Sequence, residues 1–261
     1  MSVRAIILRA AGTNCDVETE YAFRLAGAEA ETVHINRLIR GEVSLGDYQI
    51  FVIPGGFMYG DDIAAGAITA NELKHRLREK IDRFVSDRKL IVGICNGFQA
   101  LVRAGLLPSV NGATWRQQAT LATNDSCHYE DRWVYLKAEP GSTCPLIEGV
   151  DSLLYMPVAH GEGKFLVEDT TLLTTMMTQG QVVLRYVDRN GNPAGYPWNP
   201  NGSVLGIAGV CDPTGRIFGL MPHPERHLLP THHPRWTREG LKERGDGFVI
   251  FKNAVRYAEK T

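Results

Sequence analysis

The segment Gly93-Ile94-Cys95-Asn96-Gly97 places one cysteine between two glycines, each two positions away. It follows an apolar run and precedes a helical pattern, which is the context of a nucleophile elbow, a sharp strand-to-helix turn that exposes a nucleophile. Bulkier residues would clash in such a turn, and the thiol would lie at the positive end of the helix, which favours the thiolate. Although an isolated cysteine is more often an inert buried residue, this frame predicts that Cys95 is a nucleophile.

The segment Pro222-His223-Pro224-Glu225 offers a base for that thiol. A residue before proline favours extended backbone, and residues two apart on an extended segment point the same way. His223 and Glu225 should therefore project together, with the carboxylate fixing the imidazole as the third member of a triad does. Without a nucleophile nearby, the same residues would indicate only a rigid polar turn.

The third feature is Pro54-Gly55-Gly56, which follows an apolar strand. Because glycine lets backbone N–H groups approach a ligand closely, Gly55 and Gly56 could form an oxyanion hole with the N–H of Asn96. All three features follow predicted strands, and ligands of open α/β folds bind beyond the carboxyl ends of the strands.

These features are positioned by alternating strands and helices in the first hundred residues. Strands are predicted at Arg4 to Arg9, Glu31 to Ile35, Tyr48 to Ile53 and Leu90 to Cys95. Helices are predicted from Asp16 to Gly27, along one amphipathic stretch through Leu73, Leu77, Ile81, Phe84 and Val85, and from Asn96 to Ala104. This alternation predicts a parallel sheet covered on both faces.

After the first hundred residues the pattern changes to several strands with little helix between them, which predicts an antiparallel section. Residues 247 to 260 have the pattern of a closing helix. No repeat or linker separates the parts, so we expect a single domain over residues 1–261 with an extra loop excursion at 227–246.

Composition excludes several classes of protein. The chain has 261 residues, with 28 Lys and Arg against 29 Asp and Glu, a balance that argues against binding to nucleic acid or to an anionic membrane. No apolar stretch is long enough for a membrane span. Five widely spaced cysteines without a CxxC pair predict neither disulfides nor a metal site, and we expect a cytoplasmic protein. Of these thiols only Cys95 has a glycine frame, so the other four, including Cys15, are interpreted as bystanders.

Taken together, the motifs resemble those of class I (triad-type) glutamine amidotransferases, and the resemblance covers nearly the whole chain. It is strongest to the glutaminase part of phosphoribosylformylglycinamidine synthase. The segments in which the resemblance is found are RAIILRAAGTNCDVETEYAF, VIPGGFMYGDDIAAGA, GICNGFQAL, NDSCHYEDRWV, PVAHGEGKF, YPWNPNGS and GLMPHPER. The resemblance implies a three-layer, flavodoxin-like fold with a mostly parallel central sheet plus an antiparallel section.

The resemblance also implies the roles of individual residues. Cys95 would attack the side-chain amide of glutamine, and His223, oriented by Glu225, would transfer the proton to ammonia. Gln99 would contact the glutamine substrate. His160, Gly161 and Glu162 of the AHGEG segment would line the substrate pocket or couple to a partner.

Partners and cofactors follow from the same resemblance and from two missing motifs. The sequence holds no GxxxxGK[ST] phosphate loop and no GxGxxG that opens a helix. We therefore expect no cofactor on this chain, with ATP and magnesium on a partner. The resemblance implies a large synthetase subunit and a small bridging subunit, which together convert formylglycinamide ribonucleotide to formylglycinamidine ribonucleotide in purine biosynthesis.

Three alternatives remain open at this point. One is a glutaminase that serves GMP, CTP or carbamoyl phosphate synthesis, against which the AHGEG and NPNGS segments count. Another is a stand-alone cysteine hydrolase of the same fold, a branch that carries histidine where Asn96 stands. The last is a non-catalytic regulatory protein. The excursion at 227–246 resembles the longer tail of the single-chain form of the synthetase, which leaves the partner geometry open.

Overall fold

A computed structural model describes residues 2–112 and 114–261. Its strands are β1 (Arg4–Arg9), β2 (Glu29–His34), β3 (Ile50–Ile53), β4 (Leu90–Ile94), β5 (Ala119–Thr123), β6 (Glu130–Ala138), β7 (Leu154–His160), β8 (Glu162–Val167), β9 (Val182–Val187), β10 (Ile207–Cys211) and β11 (Ile217–Leu220). Its helices are α1 (Asp16–Leu25), α2 (Ile35–Ile39), α3 (Ala67–Arg76), α4 (Arg78–Ser86), α5 (Asn96–Ala104), α6 (Thr170–Thr178), α7 (Trp236–Glu239) and α8 (Phe248–Ala258).

The main sheet has the strand order β2-β1-β3-β4-β11-β10-β9-β6-β7. Neighbours from β2 to β11 run parallel, and neighbours from β11 to β7 run antiparallel. The parallel section has the flavodoxin-like order. The chain adds β2 on one side of β1 and then β3 and β4 on the other side, so the strand order reverses between β1 and β3. The predicted combination of a parallel and an antiparallel section is confirmed.

Helices cover both faces of the parallel section. Because right-handed crossovers that move in opposite directions along a sheet lie on opposite faces, α1 packs on one face and α3 and α4 on the other. The closing helix α8 joins α1 through an edge-to-face contact of Phe23 and Phe251, whose ring centroids lie 5.1 Å apart. Strands β3 and β4 lie between the two layers and are buried at every residue. Parallel strands covered on both faces are continuous apolar runs for this reason.

The predicted amphipathic helix through Leu77 is in fact two helices. The backbone of Leu77 leaves the helical region at φ −121° and ψ 0°, although its N–H donates to Leu73 and its carbonyl accepts from Ile81. Leu73, Leu77, Ile81 and Phe84 are all buried. The apolar spacing therefore located the buried face correctly, but it carries no information about the kink.

The sequence prediction also missed elements in the second half of the chain. Strands β5 and β8 form a separate two-stranded antiparallel sheet, and α6 interrupts a region expected to contain little helix. Helix α6 contains five threonines, which have low helix propensity. Asp169 compensates by capping its first turn, where the carboxylate accepts a hydrogen bond from the N–H of Leu172 at 2.8 Å.

The excursion at 227–246 lies against the edge of the main sheet rather than extending as a free loop. Among the described residues, β7 is the outermost strand at one edge of the main sheet, and its outer backbone groups have no neighbouring strand. The Asp246 carboxylate accepts from the N–H of Tyr155, and the Tyr155 carbonyl accepts from Nδ1 of His227 at 2.6 Å. The excursion therefore supplies hydrogen-bond partners to backbone groups at this edge of the sheet. Covering an edge in this way is common and protects it from pairing with other chains.

Candidate active site

Cys95 occupies the turn between β4 and α5 in a strained conformation. Its backbone has φ 49° and ψ −104°, in a region that non-glycine residues rarely adopt. Its N–H donates to the carbonyl of Leu220 at 2.8 Å, and its carbonyl accepts from the N–H of Gln99 at 3.0 Å. These two bonds attach the turn to β11 on one side and to α5 on the other.

The two glycines around Cys95 are required by close packing. A Cβ atom on Gly97 would lie 1.9 Å from the carbonyl oxygen of Ile53, and one on Gly93 would lie 2.6 Å from Cδ1 of Leu101. No side chain fits at these distances. The G-x-C-x-G spacing therefore reflects how closely α5 crosses β3 and β4.

His223 and Glu225 lie next to Cys95 because their strand pairs with its strand. Leu220 at the end of β11 pairs with Ile94 at the end of β4. The N–H of His223 donates to Pro157 of β7 at 2.9 Å. The predicted proximity of the two side chains is observed, with Nδ1 of His223 2.5 Å from Oε1 of Glu225. However, Pro224–Arg226 forms a 3-10 turn instead of an extended segment.

This histidine is almost completely buried, with 2% of its surface exposed. Burial alone would lower its pKa, but the charges of Glu225 and Cys95 outweigh burial and hold the pKa of His223 well above its ordinary value. Because Nδ1 faces Glu225, Nε2 is the nitrogen available for proton transfer. Nε2 has no hydrogen-bond partner among the described residues.

Gly55 packs closely against His223, and Gly56 lines the cavity beside Cys95. A Cβ on Gly55 would lie 2.7 Å from Cε1 of His223, and Gly56 has φ 143°, which favours glycine. Within the described part of the chain, the N–H groups of Gly56 and Asn96 donate to no acceptor. Gly56 and Cys95 line one cavity of about 160 Å³, and Asn96 directly follows Cys95 in the chain, so both N–H groups are available to an oxyanion that forms at Cys95.

That cavity collects most of the residues singled out in the sequence. Its lining is Gly56, Phe57, Asp61, Ala65, Cys95, Gln99, Tyr129, Ala159, His160, Gly161 and Glu162. Gln99 is buried, which excludes a surface role, and its Nε2 donates to the carbonyl of Glu162. The Asn96 amide donates to both Gln99 and Asp61, at 2.9 and 2.8 Å. Asn96 thus connects two of the lining residues, Gln99 and Asp61.

The acidic side chains of this cavity differ in their partners. The Glu162 carboxylate accepts from Nη2 of Arg103 at 3.1 Å. Asp61 forms no ion pair within the described part of the chain, and its Oδ1 accepts from Asn96 and from the N–H of Gly66. Burial raises the pKa of Asp61, and the hydrogen bond from Asn96 lowers it by less. A carboxylate without a cation at the edge of a small cavity suits a ligand ammonium group.

His160 is held in the neutral form. It is 2% exposed, and burial together with the charge of nearby His223 lowers its pKa to about 3. Its Nε2 lies 3.4 Å from Nδ2 of Asn201, which in turn contacts the hydroxyl of Tyr186. His160 is therefore an uncharged part of the cavity wall rather than a second base.

Sequence reasoning missed two residues of the site and misinterpreted a third. Asp61 lies in the segment VIPGGFMYGDDIAAGA, and Arg226 directly follows the HPE motif, but neither residue was predicted to have a role. Cys15, interpreted as a bystander, is buried with its Sγ beside His223 and Glu225, and the donor atoms of these three side chains lie within 4.8 Å of one another. Such a set could hold a metal, but Arg226 donates to the same sulfur at 3.1 Å, and its positive charge argues against a cation there.

Comparisons with known proteins show which family the chain belongs to. A model of the CobB/CobQ-like glutamine amidotransferase domain matches residues 2–258. Phosphoribosylformylglycinamidine synthase subunit PurQ of Dehalococcoides mccartyi is 50% identical over 259 residues, which cover 99% of this chain and 98% of that one. The chain belongs to the PurQ family of glutamine amidotransferases. PurQ of Methanococcus maripaludis is 42% identical over 269 residues, with 98% of both chains covered.

The fold agrees with that of a solved PurQ-containing structure. A chain in the structure of PurLQS from Thermotoga maritima has a TM-score of 0.75 at 30% identity, covering 98% of this chain and 99% of that one. A glutamine amidotransferase from the same organism, at 17% identity and a TM-score of 0.51, shares the fold alone. Among the described residues, no helix is both long enough and apolar enough to cross a membrane.

Proposed function

We propose that this chain is the glutaminase subunit of phosphoribosylformylglycinamidine synthase, hydrolysing glutamine to glutamate and ammonia for a partner synthetase in purine biosynthesis. The observation that carries the proposal is the Cys95 turn beside the buried His223–Glu225 pair, in a PurQ-family chain that its relatives match over nearly their full length. A glutaminase for GMP synthesis would share the fold, but the PurQ identities favour this branch.

In the proposed reaction, Nε2 of His223 holds the proton of the Cys95 thiol while Sγ attacks the side-chain amide carbon of glutamine, and the carbonyl electron pair moves to the oxygen. The N–H groups of Gly56 and Asn96 stabilise that oxyanion. His223 transfers a proton from Nε2 to the departing nitrogen, and ammonia leaves a glutamyl thioester. His223 then takes a proton from the water that attacks the thioester. The C–S bond breaks, glutamate is released, and the proton of Cys95 is again held by Nε2 of His223.

Recognition of glutamine requires groups for its charged end. Among the described residues that line the cavity, Asp61 is the acidic side chain that forms no ion pair, so we assign it the α-ammonium group. The pairing of Glu162 with Arg103 leaves Asp61 as the stronger attraction for a positive charge. Gln99, His160 and Gly161 would complete the pocket through shape and neutral contacts.

The partner would cover the mouth of this cavity. Phe57 and Tyr129 line the cavity, with 43% and 52% of their surfaces exposed, and their ring centroids lie 6.3 Å apart. In the segment after Phe57, Ile63 is 94% exposed. Exposed apolar side chains around a site are typical of protein contact surfaces. A large synthetase subunit and a small bridging subunit, carrying ATP and magnesium, are the partners that we propose for a cytoplasmic complex.

The test separates ammonia production from its use. The chain is combined with a PurL and PurS pair, and amination of formylglycinamide ribonucleotide is measured with glutamine or with ammonium chloride as the nitrogen source. We expect Cys95→Ala to abolish the glutamine-dependent rate and to leave the ammonia-dependent rate unchanged. Cys127→Ala, which removes an exposed cysteine, is the matched control. Equal glutamine-dependent rates for Cys95→Ala and wild type would refute the proposal.

A further inference from the structure

A second thiol, that of Cys15, lies against the catalytic pair although the proposed reaction does not use it. Cys15 precedes α1 in the loop that follows β1, and it is 1% exposed. A Cβ on Gly55 would lie 2.7 Å from Cε1 of His223 and 3.2 Å from Sγ of Cys15. The sulfur and the imidazole therefore share one closely packed space, at the point where the sheet order reverses between β1 and β3.

The sulfur of Cys15 is bound on two further sides. Nη2 of Arg226 donates to it at 3.1 Å, and the thiol donates to Oδ1 of Asn14 at 3.2 Å. Arg226 also lies near Glu18 of α1, with Nε 3.9 Å from the carboxylate. This arrangement connects the start of α1 to the turn that carries His223 and Glu225.

Cys15 is unsuited to be a nucleophile itself. Burial raises the pKa of its thiol, and the neighbouring charge of Glu225 raises it further, although a contact with His223 acts in the opposite direction. The thiol consequently stays protonated near neutral pH. Its contribution is steric and polar: it fills the space beside the imidazole and accepts the hydrogen bond of Arg226.

We propose that Cys15 and Arg226 are positioning residues that hold His223 and Glu225 in the orientation that directs Nε2 of His223 toward Cys95. This inference rests on the proposed glutaminase function. Without the sulfur, the imidazole would have room to turn away from the cavity, and Arg226 would lose an acceptor. An error of about 1 Å in the position of a catalytic group can reduce a rate about 100-fold.

Charged and titratable groups approach His223 from several elements, and they determine what a pH profile would show. They are Glu225 and Arg226 from its own turn, Cys15 before α1, Cys95 before α5, His160 of β7 and Tyr129 before β6. The contact with Cys15 is one of those that raise the pKa of His223. Its removal should lower that pKa, so the alkaline fall of kcat/KM should move to lower pH.

The experiment compares the glutaminase pH profiles of wild type, Cys15→Ala, Cys15→Ser and Cys144→Ala, each as the full chain with its synthetase partners. Cys144 is a buried thiol without contact to the triad and is the matched control. We expect Cys15→Ala to reduce kcat roughly 10- to 100-fold with little change in KM, and to shift the alkaline limb downward. Cys15→Ser, which keeps an acceptor for Arg226, should recover most of the rate, and Cys144→Ala should match wild type.

The outcomes separate this inference from the proposed function. If wild type does not hydrolyse glutamine, the proposed function fails. If wild type is active and Cys15→Ala has the same kcat and the same alkaline limb, the positioning role is wrong while the proposed function stands. Equal losses in Cys15→Ala and Cys144→Ala, with unshifted pH profiles, would indicate a general packing effect and would also overturn the inference.

Discussion

The buried neutral imidazole of His160 makes the stability of this chain depend on pH in a calculable way. In the unfolded chain its pKa is near the ordinary 6.5, whereas in the folded chain burial lowers the pKa to about 3. Between these two values the unfolded state binds a proton that the folded state excludes. The free energy of unfolding therefore falls as the pH falls through this window, and it changes little from this cause above pH 7.

The size of the effect follows from the two pKa values. A single excluded proton changes the free energy of unfolding by about 1.4 kcal/mol per pH unit within the window. From pH 8 to pH 4.5, this amounts to about 3 kcal/mol attributable to His160. Below about pH 6.5, His223 does not change the free energy of unfolding with pH, because a raised pKa gives stability that is fully present below the unfolded value. From about pH 6.5 to 8 the stability that His223 contributes falls as the pH rises, a change that is separate from the protonation of His160.

Urea unfolding of wild type and His160→Gln at pH 8.0, 6.5, 5.5 and 4.5 measures the contribution of His160 to the free energy of unfolding. Glutamine cannot take up a proton, and its amide oxygen can replace Nε2 as the partner of Asn201. Between pH 8.0 and 4.5, the free energy of unfolding should fall by about 3 kcal/mol less in the variant than in wild type. His227, whose pKa is lowered chiefly by burial, contributes to both proteins alike. Equal losses in the two proteins would show that His160 is not held in the neutral form.

Three further predictions concern the turn, the substrate and the partner. Gly97→Ala should lower the free energy of unfolding by about 3 kcal/mol in urea melts, whereas Gly195→Ala, with open space around it, should change it little; equal effects would contradict the packing argument. Asp61→Asn should raise the KM for glutamine about tenfold, a loss of ~1.4 kcal/mol, with kcat nearly unchanged; an unaltered KM would remove Asp61 from substrate binding. Ile63→Ser should leave the thermal midpoint of the isolated chain unchanged but weaken binding to the synthetase partners in a titration, and wild-type affinity would exclude Ile63 from the interface.

The parallel half of the fold was predictable because its signals are local. Continuous apolar runs located β1 and β4, and Gly105 correctly ended α5. The kink at Leu77 and the capped helix α6 were missed because backbone angles and a single capping hydrogen bond leave almost no trace in apolar periodicity. The second sheet, β5 with β8, depends on pairing between segments distant in the chain, for which the sequence holds no comparable local signal.

The same distinction applies to the site. The Cys95 frame and the HPE segment are local motifs. Because each follows a predicted strand, their proximity at one edge of the sheet could be predicted. Cys15 lies 208 positions before His223 in the chain, and only the strand order brings the two together. Asp61 and Arg226 were missed because their significance lies in which charges they face, a property of the assembled cavity.

Covalent labelling identifies the nucleophile, because a reactive glutamine analogue should alkylate the thiol that attacks glutamine. The chain is treated with a glutamine-analogue diazo ketone, and the adduct is located by peptide mass spectrometry. We predict a single adduct on Cys95, formed by wild type and absent from Cys95→Ser. An adduct on Cys15 or Cys127 in the wild-type chain, with Cys95 unmodified, would show that Cys95 is not the nucleophile.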